Sequence, residues 1–530
     1  MRHGFGKAVA LGVFIGWAGV GVAECGFFFS EADRRYPNWI VAPGSIILIG
    51  RSESQVSTGV PVGPSIPRSA SGFPLPTSLA GTSVRVTVGS MTVDAFILAT
   101  ESRWVRALLP SNTRLGDGQV VVTYNGQASQ PDRIRVVRRR FGLYSGEYTP
   151  PGYLAPSFFV PRAVQNVYSA HDTPLNSFVS PARPGQLAVL WGTGLGAGAG
   201  DESAGPIPGD LQIAGLQVFV GNKSARIIYA GRSGCCAGMD QVIFEVPQGI
   251  EGCNVPVWVW FDDDGYGSNE VRVSVASGGG ACSDPHGLAE PEIRALAAGN
   301  LKAAQINTGR GYWSAAFGNA ESPDRVPFGT CSSWGWASLG GLAFGVSSLK
   351  DGGAAVSFRT ARGAVEAKRT QNNSYWAQFE GQLDPGDYAV DNGAGGPDIG
   401  PLSFGFSIPQ QTFTWTNRED LTSVSLSEGL TVSWSGGDPS AGYVHIGGWF
   451  ENGGDSYGGG FGCVERAEKG KFTIPSPVLQ RAAAAGASYL ILWVGDRISK
   501  RIDVPGFDIG EFNFSSAPAG RSDYKEVPLK

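Results

Sequence analysis

The sequence predicts a mainly β protein in which tandem Ig-like β-sandwich domains precede a β-rich C-terminal half. Three observations lead there. Short runs of alternating apolar and polar residues recur, punctuated by glycine, proline and serine. Two successive stretches carry their strands in the same order, each of ~100 residues, the size of one sandwich. Glycine (78) and proline (34) are abundant among the 530 residues, while charged residues make up only 16%. The 42% of hydrophobic residues can build packed cores and excludes wholesale disorder. No Gly-X-Y period runs through the chain, which excludes collagen. A net charge of −5 argues against nucleic acid as a partner, and four histidines leave little for histidine-based chemistry.

Residues 1–23 read as a cleaved secretory signal. Arg2 and Lys7 supply the positive start, residues 8–22 the apolar stretch, and Gly21-Val22-Ala23 the small-x-small cleavage site. Glu24 closes the run short of the ~20 apolar residues a membrane anchor needs. No later run is long enough to span a bilayer. The mature chain is therefore expected to be soluble and secreted, in an extracellular or periplasmic location.

A short N-terminal segment, 24–36, leads into the first Ig-like domain, 37–140. Ala42-Pro43-Gly44-Ser45 opens it, before the apolar strand 46–50. An alternating strand at 84–89, a strand near 96–99, one closed by Pro110 and the pair 119–124 and 133–137 follow. Residues 141–179 read as linker and lead-in, the stretch 141–159 being rich in Pro, Gly and Tyr. The second copy, 180–277, repeats the order: Ala182-Arg183-Pro184-Gly185, then strands at 187–192, 216–221 and 227–230, a strand closed by Pro247, and the pair 255–261 and 270–275. Residues 278–302 read as a linker with a helix over 291–302. A β-rich domain, 303–410, and a sandwich-like domain, 411–517, are expected next, divided near Gln411, then a polar tail, 518–530. Strands are expected at 355–360, 375–380, 404–408, 430–434, 443–447, 471–474, 489–494 and 512–514, with a short helix over 477–486.

Seven cysteines are present, at 25, 235, 236, 253, 282, 331 and 463. In an oxidising compartment they should pair, and the odd number leaves one over or paired between chains. Cys235, Cys236, Cys253, Cys282, Cys331 and Cys463 are the disulfide candidates, with the connectivity open. A four-thiolate zinc site prefers Cys-x-x-Cys knuckles, which the adjacent pair Cys235-Cys236 does not supply.

The second copy resembles a known family. Its marks are Arg183-Pro184-Gly185 with Gly192-Thr193-Gly194-Leu195-Gly196, then Gly234-Cys235-Cys236-Ala237-Gly238, Asp240-Gln241-Val242, Val246-Pro247, Gly252-Cys253 and Cys282-Ser283-Asp284-Pro285. These resemble the secreted repeat proteins of Solibacter-type acidobacteria, which carry an uncharacterised Ig-like module related to IPT/TIG domains. The match is good over 180–287 and looser over 37–140, which lacks the cysteines. Thr431-Val432-Ser433-Trp434-Ser435-Gly436-Gly437-Asp438-Pro439 resembles regions that follow such modules. The resemblance implies a β-sandwich fold and a secreted location. It supplies no activity and no catalytic residues.

Other motifs have plainer readings. Gly192-Thr193-Gly194-Leu195-Gly196-Ala197 matches a dinucleotide fingerprint, but Pro206-Ile207-Pro208 denies it the helix that holds a pyrophosphate. Gly454-Asp455-Ser456-Tyr457-Gly458 matches a nucleophile elbow, yet no histidine follows Ser456. Asp262-Asp263-Asp264-Gly265 lacks the alternate acids of a calcium loop and reads as a solvated hairpin. Arg133, Arg135, Arg138, Arg139 and Arg140 read as a solvated domain edge. A pair of acids for glycosidic chemistry has no sequence signature to show.

Aromatic faces are the strongest hint of a ligand. In strand 255–261, Val255, Val257 and Val259 share one face, and Trp258 and Trp260 the other. With the valines in the core, the two indoles make a ligand platform or an inter-domain contact; with the indoles inside, they are plain core. Trp334 and Trp336 repeat the spacing beside Cys331. The sequence thus predicts a secreted, non-catalytic protein with a structural or binding role at or outside the cell surface. Its candidate partners are extracellular polysaccharide or a cell-surface protein, the latter making it a protein or cell adhesin. A polysaccharide-degrading protein with Ig-like spacers is the other alternative. No cofactor and no metal are called for.

Overall fold

The computed structural model describes residues 27–30, 39–50, 61–144, 164–169, 172–262, 267–284, 287–309, 311–320, 326–334, 346–360, 363–379, 385–408, 410, 412–438, 442–451, 459–483, 487–515 and 524–530. The expected signal, Cys25, Asp263-Asp264-Gly265, Ser456 and Trp336 lie outside them, and Trp334 is described by its backbone alone. Among the described residues two α-helices, Glu290–Ala297 and Ser476–Ala482, interrupt a succession of strands, so the mainly β class holds. No helix there is long and apolar enough to cross a membrane.

The first sandwich has two sheets. One orders Phe27–Ser30, Ile46–Gly50, Trp104–Leu108, Phe96–Thr100 and Arg68–Ser69. The other orders Ile40–Val41, Asp132–Val136, Gly116–Tyr124, Thr82–Val88 and Ser78–Leu79. Val84, Val86 and Val88 alternate inward and meet Ile47, Ile49, Val105 and Ala107 in one core. Within the expected N-terminal segment, Phe27–Ser30 is part of this unit, because it pairs with Ile47–Gly50.

The second copy repeats these pairings strand for strand. Leu187–Thr193 pairs with Asp240–Glu245, which pairs with Lys223–Arg232. Leu216–Val220 pairs with Gly252–Phe261, which pairs with Val271–Val275. Even the irregularities correspond: the register shifts at Ile97/Ala99 in one copy and at Ile227/Tyr229 in the other. Each copy also opens on a parallel contact with its last strand, Ile40–Val41 on Arg135 and Val136, and Ala182 on Val275.

The expected linker at 141–179 needs correction. Gly142–Leu143 and Val164–Val167 both pair with Leu187–Thr193 and complete the edge of the second sandwich. A strand as buried as Leu187–Thr193 leaves unpaired backbone groups unless a neighbour supplies partners.

The division near Gln411 does not separate two sheets. One ladder runs through Thr330–Trp334, Gly460–Arg466, Gly442–Glu451, Tyr489–Ile502, Ile509–Ser515, Lys302–Gly309, Tyr312–Ala320, Tyr375–Gln378, Gly363–Arg369, Ala355–Thr360, Gly386–Asp391 and Ser403–Ile408. Its centre is a parallel pairing of residues 303–308 with 509–514. Two cores lie along one face. Trp313, Phe317, Phe358, Phe406 and Phe512 belong to the first; Trp434, Phe450, Phe461, Leu479 and Leu492 to the second. Each borrows from the other's stretch of chain: Phe512 and Phe514 enter the first core, Cys331 the second.

The helix expected over 291–302 stops early. It spans Glu290–Ala297, and Gly299 takes a left-handed conformation (φ +72°). The amides of Gly299 and Asn300 donate to the carbonyls of Leu296 and Ala295, closing the last turn. Ile293 and Leu296 then pack on Ala303 and Ile509, at one end of the large sheet's other face.

Candidate binding face

Trp258 and Trp260 do not form an exposed platform. They are 1% and 8% accessible. The alternation places them as expected, with Val255, Val257 and Val259 in the sandwich core. Their outer face is covered. Trp258 stacks on Phe219 at 4.3 Å, and the Arg481 guanidinium lies 4.9 Å from its ring. Arg481 projects from helix Ser476–Ala482, so the two indoles belong to the contact between the second sandwich and the C-terminal half.

A buried ionic cluster completes that contact. Arg481 Nη1 lies 3.1 Å from Glu270 Oε2, and Arg272 Nη2 lies 3.2 Å from Glu270 Oε1. Ser332 Oγ donates to Glu270 Oε1 at 2.6 Å and the Ser333 amide to Oε2 at 3.0 Å. Arg481 also donates to the carbonyls of Ser333 (2.6 Å) and Ser268 (3.0 Å). Every oxygen of the buried carboxylate thus has a donor, the condition under which a buried charge is tolerated.

The disulfide candidates form three bonds. Cys253–Cys282 closes a separation of 29 residues and Cys331–Cys463 one of 132; Cys235–Cys236 joins neighbours. Cys235 and Cys236 are exposed, in the loop whose Ala237 and Met239 pack on Ile46, Leu75 and Leu108 of the first sandwich. The contact is polar too: the Ile46 amide donates to Thr193 Oγ1, which donates to the Gly238 carbonyl.

The remaining motifs serve structure. Gly194 accepts the Arg140 amide, and the Leu195 amide donates to Asp240 Oδ2, so the glycine-rich loop packs on the chain before it. Arg135 forms two hydrogen bonds to Asp117, and Arg133 lies over Trp39. Asp262 accepts from Gln217.

The sequence reading missed a more promising surface. The two large cores occupy one face of the large sheet; the middle of its other face, between the helix Glu290–Ala297 and an aromatic group, carries polar side chains. Register aligns Trp376 with Ser314, Ser314 with Asn307, Asn307 with Asn513, and Asn513 with Ser499. Four strand spacings give this row a span of about 19 Å. Trp376 is 46% exposed, while Ser314, Asn307 and Ser499 are half-buried. Beneath them Glu511 accepts from Ser499, Gln305 and Asn513, and Asn513 Nδ2 also donates to Asn307 Oδ1 at 3.1 Å. The carboxamide oxygen of Asn513, a residue only 8% exposed, has no hydrogen-bond partner among the described residues.

The same face continues past Arg497 to His445 and an aromatic group. Trp449, Trp493 and Tyr524 lie with ring centroids 5.2 to 5.8 Å apart. Trp493 lies directly over Gly447, where a Cβ would strike its ring. Burial drives the His445 imidazole well below its ordinary pKa, with the Arg497 charge adding to the shift, so it is neutral at physiological pH. Burial also raises the Tyr312 phenol, against the opposing pull of Arg497.

No family model matches the chain, and no curated protein does. Among solved structures, domains A168–A170 of titin are 12% identical, covering 72% of this chain and 95% of that one, with a TM-score of 0.13. A DUF4785 family protein from Legionella pneumophila is 12% identical over 60% of this chain and 80% of its own, TM-score 0.14. Domains 4–9 of the surface layer protein SbsC are 11% identical over 96% and 66%, TM-score 0.12.

Proposed function

We propose that this chain is an exported, non-catalytic protein acting as a structural or binding component outside the cytoplasm. The buried cross-link Cys331–Cys463 is the observation that carries the reading. It joins neighbouring strands that lie 132 residues apart in sequence, inside a hydrophobic core. Such bonds form and persist in oxidising compartments. Cys253–Cys282 and the signal-like start of the sequence point the same way, as does the resemblance to secreted Ig-like repeat proteins. The sandwich-to-sandwich contact and the Arg481–Glu270 cluster suit a protein whose task is to hold domains in place.

The test is export from a bacterial host carrying the native N-terminus, followed by fractionation and N-terminal sequencing. The expected product lies outside the cytoplasm and begins at Glu24. Retention in the cytoplasm with residues 1–23 attached overturns the proposal. Between polysaccharide and protein or cell contact, the polar face bearing Trp376 favours polysaccharide.

A further inference from the structure

We propose that the row Trp376–Ser314–Asn307–Asn513–Ser499 binds a neutral saccharide chain. This inference rests on the binding role proposed above and names its site and ligand class. Trp376 offers an indole face at the end of the row, 46% exposed on an otherwise polar surface. The C–H edges of a pyranose carry slight positive charge and suit the negative face of an indole. Hydroxyls both donate and accept, and so do carboxamides, so a row of Asn and Ser suits a polyol.

The Asn513 carboxamide oxygen sharpens the choice. It is buried without a donor, an arrangement that costs ~1–3 kcal/mol unless something supplies one. A ligand hydroxyl is such a donor. Asn513 spends its own amide on Asn307 and Glu511, which aligns the row before any ligand arrives. Other ligand classes fit less well. An extended peptide adds to a sheet edge, whereas Trp376, Ser314, Asn307 and Asn513 each lie on a strand paired on both sides at that residue. An anion would meet Glu511, two residues from Asn513 on the same strand, while Arg497 and Lys368 stand in flanking positions.

Binding of laminarin, xylan, galactomannan and soluble starch to the purified chain tests this, by affinity electrophoresis and then calorimetry. At least one should bind. Trp376→Ala should weaken that binding by about tenfold or more, the equivalent of ~1.4 kcal/mol, with the melting temperature unchanged. Trp376→Phe should retain most of the affinity, and Asn307→Ala should lose it. The proposal is overturned if none of the four polysaccharides binds, or if Trp376→Ala and Asn307→Ala both bind like the parent. Either failure leaves the export result as it stands, so the two readings fail separately.

Discussion

Replacing Arg481 with methionine tests how the second sandwich is fastened to the C-terminal half. The Arg481 side chain is 3% exposed. It loses an ion pair to Glu270 at 3.1 Å, hydrogen bonds to the Ser333 and Ser268 carbonyls at 2.6 and 3.0 Å, and the cation over Trp258 at 4.9 Å. Removing one partner of a buried pair costs ~3–5 kcal/mol when the other charge is left alone. Arg272, at 3.2 Å, still faces Glu270, so the lower end applies, about 3 kcal/mol. Methionine keeps most of the volume over Trp258, which keeps any cavity contribution small. Urea unfolding followed by tryptophan fluorescence reads the loss. A double-mutant cycle with Glu270→Gln should give a coupling of about 1–2 kcal/mol. A loss below about 1 kcal/mol, or strict additivity, would mean that Arg481 does not fasten the two units through Glu270.

Three further predictions follow from the same geometry. Burial and the neighbouring Asp438 carboxylate raise Asp496 to about 7, its own-strand Arg497 amide opposing, while Lys500 pairs with Asp438. The folded chain then holds a proton that the unfolded chain releases near 3.8, so stability should fall by about 4 kcal/mol as pH rises from 4 to above 7. Asp496→Asn should flatten that part of the denaturation profile; a parent profile already flat there contradicts it. Loop-closure entropy puts the Cys331–Cys463 bond at ~5 kcal/mol and Cys253–Cys282 at ~3.6 kcal/mol, so the double serine variant of the former should melt lower; the reverse order by calorimetry counts against it. Trp258→Ala should cost ~3–5 kcal/mol of stability, while Trp376→Ala should cost less than about 0.5 kcal/mol; equal losses would mean that burial is not what separates them.

Much of the fold was legible because it is local. Alternation in 84–89 and 255–261 named the inward valines, and the repeated order of strands named two copies that share even a register shift. What escaped depends on distant partners. The helix expected to run to Lys302 is stopped by Gly299, and residues 509–514 recruit Lys302–Gly309 as a parallel neighbour that no local pattern announces. Gly460–Arg466 and Gly386–Asp391 carry glycine and charge rather than the β-branched residues that announce a strand. The faces of Trp258 and Trp260 were readable, but their cover was not, since Arg481 lies more than 200 positions onward. The candidate site was hidden for the same reason. Trp376, Asn307 and Asn513 carry no motif, and only the cross-strand register brings them into one row.

Peptide mapping without reduction, on the protein recovered from outside the cytoplasm, decides whether the chain is exported and cross-linked. An exported chain should yield peptides joined through Cys253–Cys282 and Cys331–Cys463, with none derived from residues 1–23. Free thiols at these four positions, in a chain that stays inside the cell, would contradict it.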